Sequence, residues 1–264
     1  MKYKIGDVAR ILGISADLLR YYEKKGVVTP MKDKLNDYRY YDAWDINFLM
    51  DCLWFKNFGF TIEQIADIVR TPRASDISDV LEYKEDELRS TIKRCELLLR
   101  RSGEHRQGLE LIPALLGRCE ISDSPEVIRY LNRFGDEYLT NAGLERITQA
   151  WLRVLPFNHR YFEMAEDGHG EDYRWGFSLG PDYARELDFP LLPPFVRMPA
   201  QRSIHTVFKS RGKGNFSPRL LDYAFDYAKS KAMEVCGPAR GVLLSSLLEN
   251  GDFCGYFEAW LPIA

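Results

Sequence analysis

The stretch from Ser75 to Gly117 constrains the fold of this chain more than any other. It contains no proline before Pro113 and is rich in Glu, Leu, Lys and Arg, which predicts one long helix. Its apolar residues recur close to the spacing of a coiled coil; they are Ile77, Leu81, Leu88, Ile92, Cys95, Leu98, Leu99 and Leu109. We therefore expect three regions: a head at residues 1–74, this helix at 75–117, and a body at 118–264.

Basic residues are concentrated in the head. The whole chain has a net charge of -3, but residues 1–41 carry nine Lys or Arg against five Asp or Glu, a local charge of +4. A basic head on an acidic body favours a local contact with nucleic acid. No run of about 18 apolar residues and no signal-peptide core is present, so we expect no membrane partner and a cytoplasmic location.

The five cysteines do not form a disulfide or metal-binding pattern. They are Cys52, Cys95, Cys119, Cys236 and Cys254. Their odd number and wide spacing indicate free thiols in a cytoplasmic chain. Soft metals need at least two convergent thiolate or imidazole ligands, so we expect no metal, and nothing in the sequence indicates another cofactor.

Local signals near the N-terminus predict a helix-turn-helix. Residues 7–12 suit a first helix, Gly13 a tight turn, and Ser15 the N-cap of a second helix. Since leucines hold that helix to the core, Arg20 and Lys24 face outward. A helix so placed can enter a major groove with its N-terminal residues near base edges.

Two stretches resemble the signature of the MerR family of regulators. Residues 19–26 (LRYYEKKG) resemble its recognition helix, and residues 36–41 (NDYRYY) resemble its wing, a short hairpin that contacts phosphate and the minor groove. Residues 42–58 and 61–69 resemble the third and fourth helices, and residues 56–61 (KNFGFT) the second wing. These linked motifs, in this order, imply a winged helix-turn-helix.

The helix pattern and the resemblance together predict ten DNA-binding residues. They are Ser15, Ala16, Asp17, Arg20, Tyr21, Lys24, Tyr38, Arg39, Tyr40 and Lys56. Two further aromatics, Tyr22 and Tyr41, suit core packing as well as DNA contact.

The resemblance implies a homodimer joined by an antiparallel coiled coil, here residues 76–112. Members of the family bind double-stranded promoter DNA whose -35 and -10 elements are spaced too widely for RNA polymerase. An inducer makes the dimer bend and untwist this DNA, which realigns the elements, so polymerase is an indirect partner. Such distortion costs about 1–6 kcal/mol, which additional contacts repay.

The body shows two rounds of strand, helix, strand and strand from Cys119 onward. This pattern and the ending YFEAWLPI (residues 256–263) resemble the GyrI-like effector-binding domain of multidrug-sensing regulators. In that family a Glu on the last strand lies at the floor of an aromatic cavity, and Glu258 matches it. The fold class we expect is multidomain α and α+β: a winged head, a dimerisation helix and a pseudo-repeat sensor domain.

Strand alternation predicts that Glu258 lies between Tyr256 and Trp260 on one face of the last strand. A buried carboxylate must be paired or neutralised, and a lipophilic cation would do this, with the rings supplying cation–π contacts. Other predicted ligand-binding aromatics are Trp151, Tyr161, Phe177, Tyr223 and Tyr227. Alternatively, most of these rings are core, and Glu258 hydrogen-bonds a tyrosine or an arginine such as Arg197 or Arg202.

Three functions are compatible with these features. We expect a ligand-responsive regulator, not an enzyme, that binds a pseudo-palindromic operator and responds to an aromatic or cationic small molecule. One alternative is a hydrolase in which Glu258 acts with Tyr256 or Tyr223 as a general base. Another is a regulator without a small-molecule ligand, its cavity filled by residues 182–199 or 212–214. Metal sensing is disfavoured because residues 71–79 contain no cysteine.

Overall fold

The chain, represented by a computed structural model, divides into two compact units. The structure describes residues 2–33, 38–71, 73–164, 173–212 and 215–264. One unit extends to Ile92 and the other begins at Lys93, so the division falls within the long helix. Among the helices described, none is long and apolar enough to cross a membrane.

The head is helical with a small antiparallel sheet. Its elements are β1 (Tyr3–Lys4), α1 (Ile5–Leu12), α2 (Ala16–Lys24), β2 (Met31–Lys32), β3 (Arg39–Tyr41), α3 (Ala43–Asn57) and α4 (Ile62–Ile68). The strands are ordered β1-β3-β2, so β2 and β3 form the predicted wing hairpin. Residues 36 and 37 of the wing motif lie outside the described residues.

Capping and core packing fix the helix-turn-helix as the sequence predicts. Gly13 adopts the left-handed conformation (φ 65°) that ends α1, and the Ser15 side chain accepts a hydrogen bond from the backbone N–H of Leu18 at 3.1 Å. Tyr22 and Tyr41 are fully buried, so both belong to the core.

The predicted long helix is present as α5 (Ala74–Leu115), with 42 residues. Pro113 lies in the last turn of α5, where it removes one backbone N–H donor, and the helix continues for only two more residues. The helix ends before Gly117, which adopts a left-handed conformation (φ 69°).

The body contains one antiparallel sheet with helices. Its elements are β4 (Cys119–Ser124), β5 (Val127–Phe134), β6 (Glu137–Tyr138), α6 (Ala142–Arg153), β7 (His159–Met164), β8 (Tyr173–Leu179), α7 (Pro181–Glu186), β9 (Val196–Met198), β10 (Gln201–Arg211), α8 (Asp222–Ser230), β11 (Ala239–Glu249) and β12 (Asp252–Pro262). A single 3-10 turn, Pro218–Leu221, precedes α8.

Strand order confirms the two-round pattern. The sheet runs β4-β10-β12-β11-β7-β8-β5-β6, and β9 pairs with β5. One round is β5-α6-β7-β8 and the other is β10-α8-β11-β12, and they join where β11 pairs with β7. This is the two-round arrangement expected from the sequence.

The two faces of the sheet are covered by different helices. Phe162 and Phe257 lie on the face that packs against α8, and Phe177 and Trp151 belong to the neighbouring cluster around α6; we call this the α6/α8 face. The opposite face packs against the C-terminal turns of α5, and we call it the α5 face. Its apolar residues are Tyr161, Val207, Val242, Leu244 and Trp260, which contact Leu111, Ile112 and Leu115 of α5.

The body also contains elements outside the two-round pattern, namely β4, β6, β9 and the short helix α7. The second-round helix α8 ends at Ser230. Ala232 adopts φ 50°, a left-handed conformation that a helix cannot contain.

Gly241 allows a close approach in the middle of the sheet. A Cβ atom there would collide with the carbonyl oxygen of Glu258 and lie 2.6 Å from the Phe162 ring. We predict that Gly241→Ala lowers the free energy of unfolding by about 2 kcal/mol or more through overpacking, measured by urea denaturation. Gly143→Ala in α6, whose Cβ would meet only ordinary contacts, is the control. Equal stability of the two variants would contradict this.

Candidate functional site

The outer surface of α2 carries the side chains predicted to approach DNA. Arg20 and Lys24 are exposed, and Arg20 forms an ion pair only one turn away, with Asp17 at 2.5 Å. Such an exposed pair is weak and can be exchanged for a phosphate. Helix α2 therefore presents two exposed cations, Arg20 near its middle and Lys24 at its C-terminal end.

A groove of about 500 Å³ brings the wing and α2 together. It is lined by Arg20 from α2, Tyr38 and Arg39 from the wing, and Lys4 from β1. Lys4 was not among the predicted residues, although its Nζ lies 5.7 Å from the centre of the Tyr38 ring. Three cations and one carboxylate, Asp7, line this concave surface, and the excess of positive charge suits a phosphate backbone.

Tyr21 and Arg39 are also held by contacts within the head. The Tyr21 hydroxyl donates to Glu63 Oε1 at 2.8 Å, and Lys25 Nζ pairs with the same oxygen at 2.8 Å. Lys25, followed by other hydrogen bonds, lowers the pKa of Glu63 to about 2. Arg39 pairs with Glu23 at 2.5 Å. These contacts orient both side chains in the absence of DNA.

The other predicted DNA-binding residues do not line this groove. Ser15 serves as the N-cap of α2, and Ala16 opens the same helix. Tyr40 lies in β3 with its ring 5.9 Å from Lys2 Nζ, and Lys56 is exposed near the end of α3.

On the α5 face of the body lies a cavity of about 750 Å³. Arg100, Glu104 and Gln107 of α5 form one wall, and Glu258 and Trp260 of β12 line the floor. The structure thus brings together two of the predicted ligand-binding residues.

Two other predicted ligand-binding residues, Tyr161 and Tyr256, lie on this face but hydrogen-bond to glutamates outside the cavity. The Tyr161 hydroxyl donates to Glu163 Oε1 at 3.0 Å, and burial raises its pKa. The Tyr256 hydroxyl donates to Glu249 Oε1 at 2.6 Å. Neither tyrosine is part of the cavity lining.

Four predicted ligand-binding aromatics lie on the α6/α8 side of the sheet, opposite the cavity. Trp151 stacks on Phe177 in the core around α6, with ring centres 6.2 Å apart. The Tyr223 hydroxyl is 2.7 Å from Thr206 Oγ1, and Tyr227 packs in the α8 cluster. The structure therefore does not bring these four residues to the cavity at Glu258. Strand alternation does not reveal which face of the sheet each helix covers.

The partner of Glu258 is a histidine, not the tyrosine or arginine expected. Nε2 of His205 is 2.8 Å from Glu258 Oε1, and Nδ1 is 3.0 Å from Glu120 Oε1. The His205 ring also stacks on Trp260 at 5.4 Å. Burial opposes the charged form of His205, but the two carboxylates outweigh it and raise its pKa above the ordinary value.

Acidic groups dominate the rest of the lining. Glu104, Glu126 and Asp182 line the cavity against one arginine, Arg100, which pairs with a glutamate outside the lining at 2.9 Å. His159 also lines it, but burial and nearby positive charge lower its pKa to about 3, so it is neutral near pH 7. The cavity therefore favours cationic over anionic ligands.

Residues named for the alternative functions make other contacts in the described part of the chain. Neither Tyr256 nor Tyr223 is hydrogen-bonded to Glu258, so the expected pairing for a general base is missing. Throughout the described ranges, no group of three or more His, Cys, Asp or Glu could hold a metal ion. Leu191 and Phe195, from the segment expected to fill the cavity, pack instead around the α6 cluster.

Comparison with known proteins agrees with the head geometry. A family model described as MerR HTH family regulatory protein matches residues 3–71. An uncharacterized HTH-type transcriptional regulator of Synechocystis sp. is 33% identical over 97 residues, which cover 35% of this chain and 71% of that protein. This chain belongs to the MerR family. As a member it is a DNA-binding transcription regulator.

Two further similarities cover more of the chain. The HTH-type transcriptional regulator CueR of Escherichia coli O157:H7 is 29% identical over 122 residues, covering 46% of this MerR-family chain and 87% of CueR. The EcmrR–DNA complex aligns over 99% of both chains at 15% identity, with a TM-score of 0.39. This score is below 0.5, and the strand order of the body defines its fold.

Proposed function

We propose that this MerR-family protein is a homodimeric regulator that binds a pseudo-palindromic promoter operator and responds to an aromatic cation. The head would contact DNA, α5 would join the two copies, and the cavity would receive the ligand. The observation that carries the ligand assignment is that Glu258 and Trp260 line one cavity of about 750 Å³. This is within the usual range for drug-sized ligands.

An exposed apolar stripe on α5 supports dimerisation. Leu88, Ile92, Cys95 and Leu99 recur at spacings of four, three and four, and all four are exposed, with Leu99 at 77%. Such a seam is stable in water only when another helix covers it. A second copy of α5 is the partner that the family resemblance implies.

The groove of the head supports contact with the DNA backbone. Lys4, Arg20 and Arg39 line it, and neutralising phosphates with such side chains releases counterions. The outward α2 helix beside it is placed to reach base edges in a major groove.

We predict that Arg20→Ala weakens operator binding and reduces the slope of log affinity against log salt by about one, as expected for one lost phosphate contact. The operator would be selected from random duplex DNA by the wild-type protein and binding measured by fluorescence anisotropy. Lys229→Ala in the body is the matched control, because Lys229 is exposed and pairs with Asp226 three residues away, as Arg20 pairs with Asp17. Equal effects of the two substitutions on operator binding would show that Arg20 does not contact the DNA.

The position of the cavity supports coupling between ligand and DNA. One wall of the cavity is α5, the same helix whose exposed stripe would join two copies. A ligand that binds better when this helix is displaced would favour one dimer conformation over another. In the dimer we propose, that difference would be expressed as DNA bending and untwisting.

We predict that Glu258→Gln weakens binding of tetraphenylphosphonium at pH 8 by about tenfold or more, because the carboxylate supplies the charge that attracts the cation. Isothermal titration calorimetry would measure the affinity, and operator binding should be unchanged. Glu137→Gln, on the exposed strand β6, is the control. Unchanged affinity in Glu258→Gln would reject the site.

A further inference from the structure

Glu258 has an ionic partner, His205, that does not line the cavity, and the strand register explains their contact. Glu258 lies opposite Val207 on β10 and Val242 on β11, so its direct cross-strand neighbours are apolar. His205, one diagonal step away on β10, reaches it at 2.8 Å and lies directly opposite Glu120 on β4. The ring therefore bridges two carboxylates across three strands.

The hydrogen-bond chemistry requires His205 to carry a positive charge when both carboxylates are ionised. A carboxylate can only accept hydrogen bonds, so each ring nitrogen must carry a hydrogen. The side chain of His205 is 8% exposed and that of Glu258 is 14% exposed. Two such poorly hydrated charges stabilise one another strongly compared with a surface pair.

No other described charge is placed to substitute for His205. The charged groups that face it are Glu120 from β4 and Glu258 from β12, with the Trp260 ring stacked on it. Arg240, opposite Trp260 on β11, donates instead to Ser124 Oγ at 2.7 Å and to the carbonyl oxygen of Pro199. On the α5 side the cavity is bounded by Glu104 and Arg100, and Glu104 accepts from a tyrosine hydroxyl.

We propose that His205 is an internal counter-ion that competes with the ligand for Glu258 and so determines which ligands the cavity accepts. A cation that binds at Glu258 displaces the positive charge of His205, and one proton is released as the imidazolium becomes neutral. A neutral aromatic ligand causes no such release. This inference rests on the proposed cation site.

The geometry provides a route for that proton which avoids the cavity. His205 Nδ1 faces Glu120, whose side chain is 52% exposed, whereas Nε2 faces Glu258. Loss of the proton from Nδ1 leaves Nε2–H able to donate to Glu258. The bare Nδ1 can no longer donate to Glu120, so the half-exposed Glu120 carboxylate turns toward water. Cation affinity should therefore rise with pH until His205 is fully neutral, and then become constant.

The test is calorimetric titration of the full-length protein with tetraphenylphosphonium between pH 6 and 9, in buffers of different ionisation enthalpy. We expect affinity to increase by up to about tenfold per pH unit at the acidic end, with close to one proton released per cation. His159 does not contribute, since its low pKa keeps it neutral throughout this range. Triphenylphosphine oxide, a neutral analogue, should bind with no pH dependence.

Two substitutions give opposite expectations. His205→Gln removes the competing charge and should bind the cation about tenfold or more tightly than wild type at pH 6, with no pH dependence. His205→Lys supplies a permanent charge and should bind weakly from pH 6 to 9. His105→Gln, at an exposed position on α5, is the control and should behave as wild type. If a variant fails to fold, the number of protons that the wild-type protein releases per bound cation still tests the role of His205.

The outcomes separate this inference from the proposed function. Failure of tetraphenylphosphonium to bind, or equal binding by Glu258→Gln at every pH, would overturn the cation site itself. Binding that depends on Glu258 but shows a flat pH profile and no proton release would overturn the role of His205 alone.

Discussion

The sheet of the body has two apolar faces, and the packing of α5 against one of them shapes the rest of that unit. Helices α6 and α8 cover one face, and the C-terminal turns of α5, through Leu111, Ile112 and Leu115, cover part of the other. Because α5 covers this face incompletely, a cavity of about 750 Å³ remains beside it. The helix that would join two copies is thus also a wall of the site proposed to bind ligand.

Local signals were sufficient to predict the head and the helix. The N-cap at Ser15, the turn at Gly13 and the proline-free run before Pro113 act over a few residues, so their effects can be read from the sequence. The two-round pattern of the body was also visible, because strand and helix periodicities differ. The ends of elements were less predictable, as at Ala232, where backbone conformation departs from what its residue type favours.

The ligand site was only half predictable, for a physical reason. Alternation along β12 correctly placed Glu258 and Trp260 on one face, since it depends only on strand geometry. It could not show that Tyr223 lies behind the sheet, or that His205 lies beside Glu258, because both depend on the register and order of strands distant in sequence. A histidine on a predicted strand carries no signal of its own until its cross-strand neighbours are known.

Buried charge on the α5 face extends beyond the cavity. Across the sheet, Glu120, His205, Trp260, Arg240 and Glu163 lie opposite one another in successive strands. Glu163 is paired with Arg129 at 2.7 Å, so opposite charges compensate along this row. Burying charges is costly unless they are paired, and a row of this kind is a conspicuous departure from a purely apolar sheet face. Glu258 is not in this row, but it contacts the row through His205 and also lines the cavity.

The central claim is that an aromatic cation occupies the space between α5 and Glu258. The most direct measurement is a crystal structure of the protein with tetraphenylarsonium, whose arsenic can be located by its anomalous scattering. An arsenic peak inside the cavity, next to the Glu258 carboxylate and the Trp260 ring, is the predicted result. A peak elsewhere on the protein, with the cavity unoccupied at saturating cation, would contradict the account.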